Sequence, residues 1–285
     1  YILPTNVPAN EFLNLEGDKI STSRNHAVWL HEYLEDFPDK QDELRYVLCS
    51  ISPESKDSEF TWLDYQARVN NELVAILGNF VNRTVVLTDK YYNGAVPELK
   101  VESNEFIEIK KQIDLHREAM EVSIAKFRFR DALAELINIA RLGNKYLADL
   151  EPWKMQKTDP DSVKPIMAIA NYITASLAIL SEPFLPNTSI KLKEAYSLTD
   201  TPLSEIPSAL KSVKNPGLIF DKIEDEQVAA QVQKLADAKP KNKHMPQKDN
   251  ISFDDFTKLD MRVGTIVEAE KMAKTKKLLV LKVDT

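Results

Sequence analysis

The sequence predicts a mainly α protein, folded as an antiparallel helical bundle, and three observations predict it. Only 6 of the 285 residues are glycine. Apolar residues recur at three- and four-residue spacing along stretches rich in Ala, Leu, Glu and Lys, the spacing of one helical face. The 15 prolines fall mostly between those stretches, where the missing N–H ends a helix without leaving an unmade bond inside it.

Taken in order, residues 1–25 are punctuated by Pro4, Pro8, Asn10, Gly17 and Asp18 and predict irregular chain. Ala27, Val28, Leu30, Tyr33 and Leu34 predict a helix closed by Pro38, and a second helix covers 40–50 before Pro53. Thr61 is a good N-cap for a long helix whose face carries Val69, Leu73, Ile76, Leu77, Phe80 and Val81, with Asn93-Gly94 as its stop. Further helices are expected over 103–122, over 127–150 (ended at Pro152), over 162–180, and after Pro186. Helices of this length with connections of moderate length pack as a bundle. Residues 200–222 should wrap its surface, and a charged helix should cover 224–238. Lys239 to Lys248 form a Pro/Lys linker, with lysines 239, 241, 243 and 248 free to touch phosphates. Beyond it the period changes to two, predicting strands over 261–267 and 278–283.

Composition excludes several classes. A single cysteine, Cys49, allows neither an internal disulfide nor a Cys-based zinc site, and its apolar setting predicts a buried core thiol. Cysteine usage of this kind, no expected membrane-length apolar run and no signal pattern predict a cytoplasmic protein. The net charge of −7 argues against non-specific nucleic-acid binding, so an RNA reader would need local positive charge and specific base contacts. The chain opens in mid-pattern at Tyr1 and closes on an apolar strand, which predicts a fragment of a longer protein.

Four motifs carry chemistry. Gly17-Asp18-Lys19-Ile20-Ser21-Thr22-Ser23-Arg24-Asn25 combines a mobile cation with small hydroxyl residues before a helix, a composition suited to phosphate oxygens and equally to a solvated turn. Asn79 and Arg83, four apart, share a helix face, where an amide and a guanidinium suit a base edge or simply a polar helix edge. Glu151-Pro152-Trp153-Lys154 offers an aromatic platform beside a cation, whereas Trp29 and Trp62 fit core positions. Ile251 to Ile266 lead into the final strands.

These stretches, in this order, resemble the methionyl-tRNA synthetase family of class I aminoacyl-tRNA synthetases. The first is similar to the family's Lys-Met-Ser-Lys-Ser loop, with Ile20 in place of Met and Thr22 in place of the second Lys, a charge supplied either by Lys19 with a neighbour such as Arg24 or by another part of the parent protein. Gly78-Asn79-Phe80-Val81-Asn82-Arg83 resembles the anticodon helix, and Pro152-Trp153 the stacking platform. Ile251 to Ile266 resembles the opening of an appended tRNA-binding OB domain.

The resemblance implies the end of a catalytic domain with a stem-contact segment at 1–58, a helical anticodon-binding domain at 59–238, a linker at 239–250 and the start of an OB fold at 251–285. It implies catalytic roles for Lys19, Ser21, Thr22 and Ser23, with Lys19 and Thr22 on ATP, and anticodon contacts from Asn79, Arg83 and Trp153. ATP with Mg2+ would serve the parent enzyme, and no metal is expected here, because any zinc knuckle would lie upstream. The implied partners are tRNA(Met), initiator tRNA, methionine and ATP, with no membrane. Dimerisation would run through a complete OB domain and this fragment would be a monomer. His26, His31, His116 and His244 form no His-Ile-Gly-His motif, so the fragment should bind tRNA without activating methionine. The rival readings are another class Ia synthetase and a non-catalytic helical RNA-binding or scaffold protein.

Overall fold

A computed structural model describes residues 3–198, 201–202, 206–207, 209–238, 252–260, 262–271 and 279–284. The chain forms two compact units, Tyr1–Pro240 and Lys241–Thr285.

The first unit starts with a small sheet where irregular chain was expected. Strand β1 (Leu13–Leu15) turns through Glu16 and Gly17, both at positive φ, into β2 (Asp18–Lys19), and pairs in parallel with β3 (Ser58–Phe60). The strands are two or three residues long, too short for an alternation to show in sequence. Helices α1 (Leu30–Asp36) and α2 (Gln41–Ser50) follow close to their expected places. The α2 carboxylate of Asp42 accepts from the free backbone N–H groups of Asn187 and Thr188 at 3.3 and 2.7 Å. That bond caps helix α9 (Pro186–Tyr196) and ties the two regions together.

Thr61 caps as predicted, its hydroxyl accepting from the Asp64 N–H at 3.0 Å. The long helix is not uniform, however. It runs as α3 (Trp62–Arg68), a π-helical stretch (Val69–Gly78) and α4 (Asn79–Tyr92), ending on Asn93 in the left-handed conformation. Two features accompany the wide turn. Gly78 removes a Cβ that would stand 3.1 Å from the Leu73 carbonyl oxygen, five residues back. From the neighbouring helix, the Asn144 amide donates to the Ile76 carbonyl at 2.8 Å, engaging a backbone acceptor in the disturbed ladder.

Helices α5 (Asn104–Ala125), α6 (Phe129–Leu150), the single turn α7 (Pro152–Met155) and α8 (Pro160–Leu180) complete the core. Helix α6 packs on α5, α8 and the π-helical stretch, and α8 packs on α4 and α9. By length and composition α8 is apolar enough to cross a membrane, contrary to the expectation that no run reaches that length. Within the protein 89% of its most apolar window is buried, so the core accounts for its hydropathy. Its buried Asn171 is fully engaged, donating to the Thr88 hydroxyl and accepting from Tyr196. The segment before α10 (Asp225–Ala238) is stitched to helix ends, with Val96 N–H to Lys211 and Val213 N–H to Gly94. Trp62 is core as expected; Trp29 and Cys49 are only half-buried. Burial raises the Cys49 thiol pKa, which makes it a poor nucleophile.

Glu43 on α2 is buried with Lys40 3.8 Å away. Burial chiefly pushes its carboxyl up to about 7. The folded chain therefore holds this proton more tightly than the unfolded chain. The associated stability is complete below the usual carboxylate range and is lost as pH rises through 7. Glu43→Gln is expected to add about 2 kcal/mol at pH 8 and to flatten the dependence between pH 4.5 and 7, measured by urea unfolding across that range.

In the second unit, Ser252 caps α11 (Phe253–Phe256), and β4 (Thr265–Lys271) pairs antiparallel with β5 (Leu279–Asp284), with a bulge between Ile266 and Glu268. Strand β4 begins four residues later than expected and β5 one residue later. Their apolar side chains are exposed, since the two strands among the described residues have no covering layer. The expected linker at 239–250 lies outside the described residues.

Candidate nucleic-acid interface

Trp153 is set by a local break. Helix α6 stops at Glu151, a non-glycine residue at φ +43°, and Pro152 opens α7 at its first turn, the place where proline fits a helix. Helix α7 packs on α8, and Trp153 lies half-buried against the core rather than fully exposed. Lys154, the cation beside it in sequence, is paired with Glu151 at 2.8 Å. The cation at the ring comes from a different helix: the Arg83 guanidinium carbon lies 5.4 Å from the Trp153 ring centroid.

Arg83 is half-buried on α4 and, among the described residues, makes no hydrogen bond or ion pair. Its stem is held against an aromatic plane while its N–H donors stay unused, an arrangement that can present a guanidinium to a planar acceptor. Asn79 opens α4 one turn earlier on the same side. It is exposed, and its amide has no partner among the described residues. Arg83 and Trp153 thus stand together with Asn79 beside them, and among the described residues no acid pairs with Arg83.

The loop around Lys19 is a separate place in the same unit. Ser21 and His26 exchange two backbone hydrogen bonds of 2.9 Å, closing a tight turn in which Asn25 takes φ +52°. The turn is supported from beneath by buried His26, whose ring nitrogen lies 2.9 Å from the Leu15 carbonyl oxygen, and by the Trp29 indole N–H donating to Asn25. Lys19, Thr22 and Ser23 are exposed. The Lys19 ammonium rests 5.3 Å over the Phe12 ring, and the Ser21 and Ser23 hydroxyls are 3.2 Å apart. Arg24 donates to the Lys19 carbonyl at 3.0 Å and lies 3.9 Å from Asp18, which puts a second cation next to Lys19. Among the described residues, no hydrogen bond, ion pair or ring contact joins this loop to the Arg83–Trp153 pair. Among the described residues, no cluster of three or more His, Cys, Asp or Glu could hold a metal.

Two supporting residues escaped the sequence reading. Gly143 on α6 leaves room for the buried Phe80 ring, directly between Asn79 and Arg83 in the chain. Asn144 beside it holds the π-helical turn. The available signal was a glycine inside a helical pattern, which marks a close approach.

Comparison with known proteins covers both parts of the first unit. The family model described as "tRNA synthetases class I (M)" matches residues 1–85. The one described as "Anticodon binding domain of methionyl tRNA ligase" matches residues 96–240. All of the chain aligns with a protein named methionine–tRNA ligase from Christiangramia forsetii at 56% identity, and with one from Flavobacterium psychrophilum at 54%. The chain spans 44% and 43% of those relatives' lengths. Among solved structures, the apo form of Mycobacterium tuberculosis methionyl-tRNA synthetase aligns with a TM-score of 0.61 at 19% identity, covering 76% of this chain and 43% of that one. The same protein with methionyl-adenylate gives a TM-score of 0.62 at 20% identity, covering 75% and 43%. At that identity the likeness speaks for the fold.

Proposed function

The chain belongs to the methionyl-tRNA ligase family, and from that premise we propose that it is the anticodon-reading part of such an enzyme. The observation that carries the reading is the Arg83 guanidinium lying over the half-buried Trp153 ring with no acceptor among the described residues. Trp153 stacks on an unstacked anticodon base, while Arg83 and Asn79 hydrogen-bond base edges. A reader that works through one helix face and one aromatic ring needs no basic surface, which reconciles RNA binding with a net charge of −7.

The domain assignment follows the same premise: residues 1–58 end the catalytic domain, 59–238 form an antiparallel anticodon-binding bundle, 239–250 link, and 251–285 begin an OB fold. The bulged β4–β5 pair is compatible with the last of these. In the whole protein, methionine is activated with ATP and Mg2+ and transferred to tRNA(Met), in the cytoplasm, with dimerisation through a complete OB domain. Lys19, assisted by Arg24, meets the ATP phosphates, and Ser21, Thr22 and Ser23 frame the loop. The exposed Lys19 ammonium and the tight Ser21–His26 closure support that role. A helical scaffold without RNA would pair or bury these groups, and here the polar atoms of Asn79 and Arg83 have no partner among the described residues.

The test is tRNA binding at fixed salt, comparing initiator tRNA carrying the methionine anticodon with the same tRNA changed at its first anticodon base. The cognate molecule should bind more tightly. Arg83→Ala is expected to cost about tenfold in cognate affinity and to narrow the gap. An equal loss for both tRNAs would make Arg83 a phosphate contact instead.

A further inference from the structure

We infer that the reading face continues into a second base pocket, a groove between the π-helical turn and residues 218–222, which takes another unpaired nucleotide of the same RNA loop. The inference rests on the anticodon-reading assignment above.

The groove has a volume of about 560 Å³, within the range of small-molecule sites. Its far wall is anchored. Asn70 donates to the Ile223 carbonyl at 2.9 Å and accepts from the Ile223 N–H at 2.8 Å, and Lys191 donates to the Leu218 carbonyl at 2.8 Å. Its floor is close-fitting, because a Cβ on Gly78 would stand 3.4 Å from the Phe220 ring.

The polar lining is unusual in what it leaves unused. Asn71, Asn79 and Asn82 all face the groove, and none of their side-chain amides has a partner among the described residues. Neighbouring Asn70, by contrast, is fully engaged. An amide carries donors and an acceptor together, the combination that matches the edge of a base. Lys222 lines the same groove, exposed and without an ion pair among the described residues. No Asp or Glu lines it, in a chain that carries 44 of them. Free amides, one free cation and no acid fit a base with its phosphate. Asn79 belongs both to this groove and to the face that carries Arg83, so a strand leaving the Trp153 platform runs directly into it. A peptide could also use the amides, but the acid-free lining and the continuity through Asn79 favour RNA.

The test uses the full-length protein and tRNA variants changed singly at each anticodon-loop position, titrated at several salt concentrations. Asn82→Ala should lose about tenfold discrimination at one loop base other than the first anticodon base. Lys222→Ala should weaken all the tRNAs alike and lower the salt slope by about one. The preference at the first anticodon base should persist in both variants, which also reports an intact fold. Unchanged discrimination at every loop position and an unchanged salt slope would overturn the groove assignment. If Arg83→Ala also left the first-base preference untouched, the failure would lie with the anticodon reading itself.

Discussion

Truncating Trp153 to alanine is expected to weaken cognate tRNA binding by about 100-fold, the upper part of the range for losing a base–aromatic stack. Two losses combine. The base loses its platform, and the Arg83 guanidinium loses the ring that now lies 5.4 Å from its carbon, so its donors are no longer held in one plane. Trp153→Phe keeps an aromatic face and should recover much of the affinity, while Trp153→Leu restores bulk without the face and should not. The check is equilibrium binding for the three variants beside urea unfolding. If Leu matched Phe, packing of α7 rather than stacking would explain the loss.

Replacing Gly143 with alanine is expected to destabilise the first unit by about 3 kcal/mol, the upper end for overpacking a core. The new methyl would fall within 2.6 Å of three atoms of the Phe80 ring, and that ring is fully buried. The ring therefore has no solvent to move into, and helices α4 and α6 must separate. Because Phe80 sits between Asn79 and Arg83, tRNA affinity should fall along with the urea midpoint. Shrinking the ring with Phe80→Leu in the same background should restore part of the stability. A midpoint that stays unchanged in Gly143→Ala would mean that the two helices are not in close contact.

What could be read from sequence was local. The Thr61 cap, the Asn93 stop and the apolar face from Val69 to Val81 each depend on residues within a turn or two of one another, and the structure repeats them closely. What was hidden depends on partners far along the chain. The β1–β3 pairing joins Leu13 to Ser58, and the cation at Trp153 arrives from a residue 70 positions earlier, whereas the adjacent Lys154 is occupied by Glu151. Spacing placed Asn79 and Arg83 on one face but could not say whether an acid would neutralise them. Their selection, with Trp153 and the Lys19 loop, came from resemblance. Trp29 was misjudged because its indole N–H has a polar task, holding Asn25 in the turn, which keeps the ring out of the core.

The wide turn from Val69 to Gly78 has a consequence for how this helix tolerates change in length. Each residue of an ordinary helix advances the direction of its side chain by about 100°. A π-helical turn holds about one residue more than an α turn, so removing one residue from the wide stretch would let the backbone return to regular spacing with little net rotation of everything downstream. Phe80, Val81 and Val85, now fully buried or nearly so, would stay turned inward and Arg83 would stay over the Trp153 ring, whereas removing a second residue would swing them through the full angle. The wide turn is therefore a length buffer: the helix can lose one residue there and keep its reading face, but not a second.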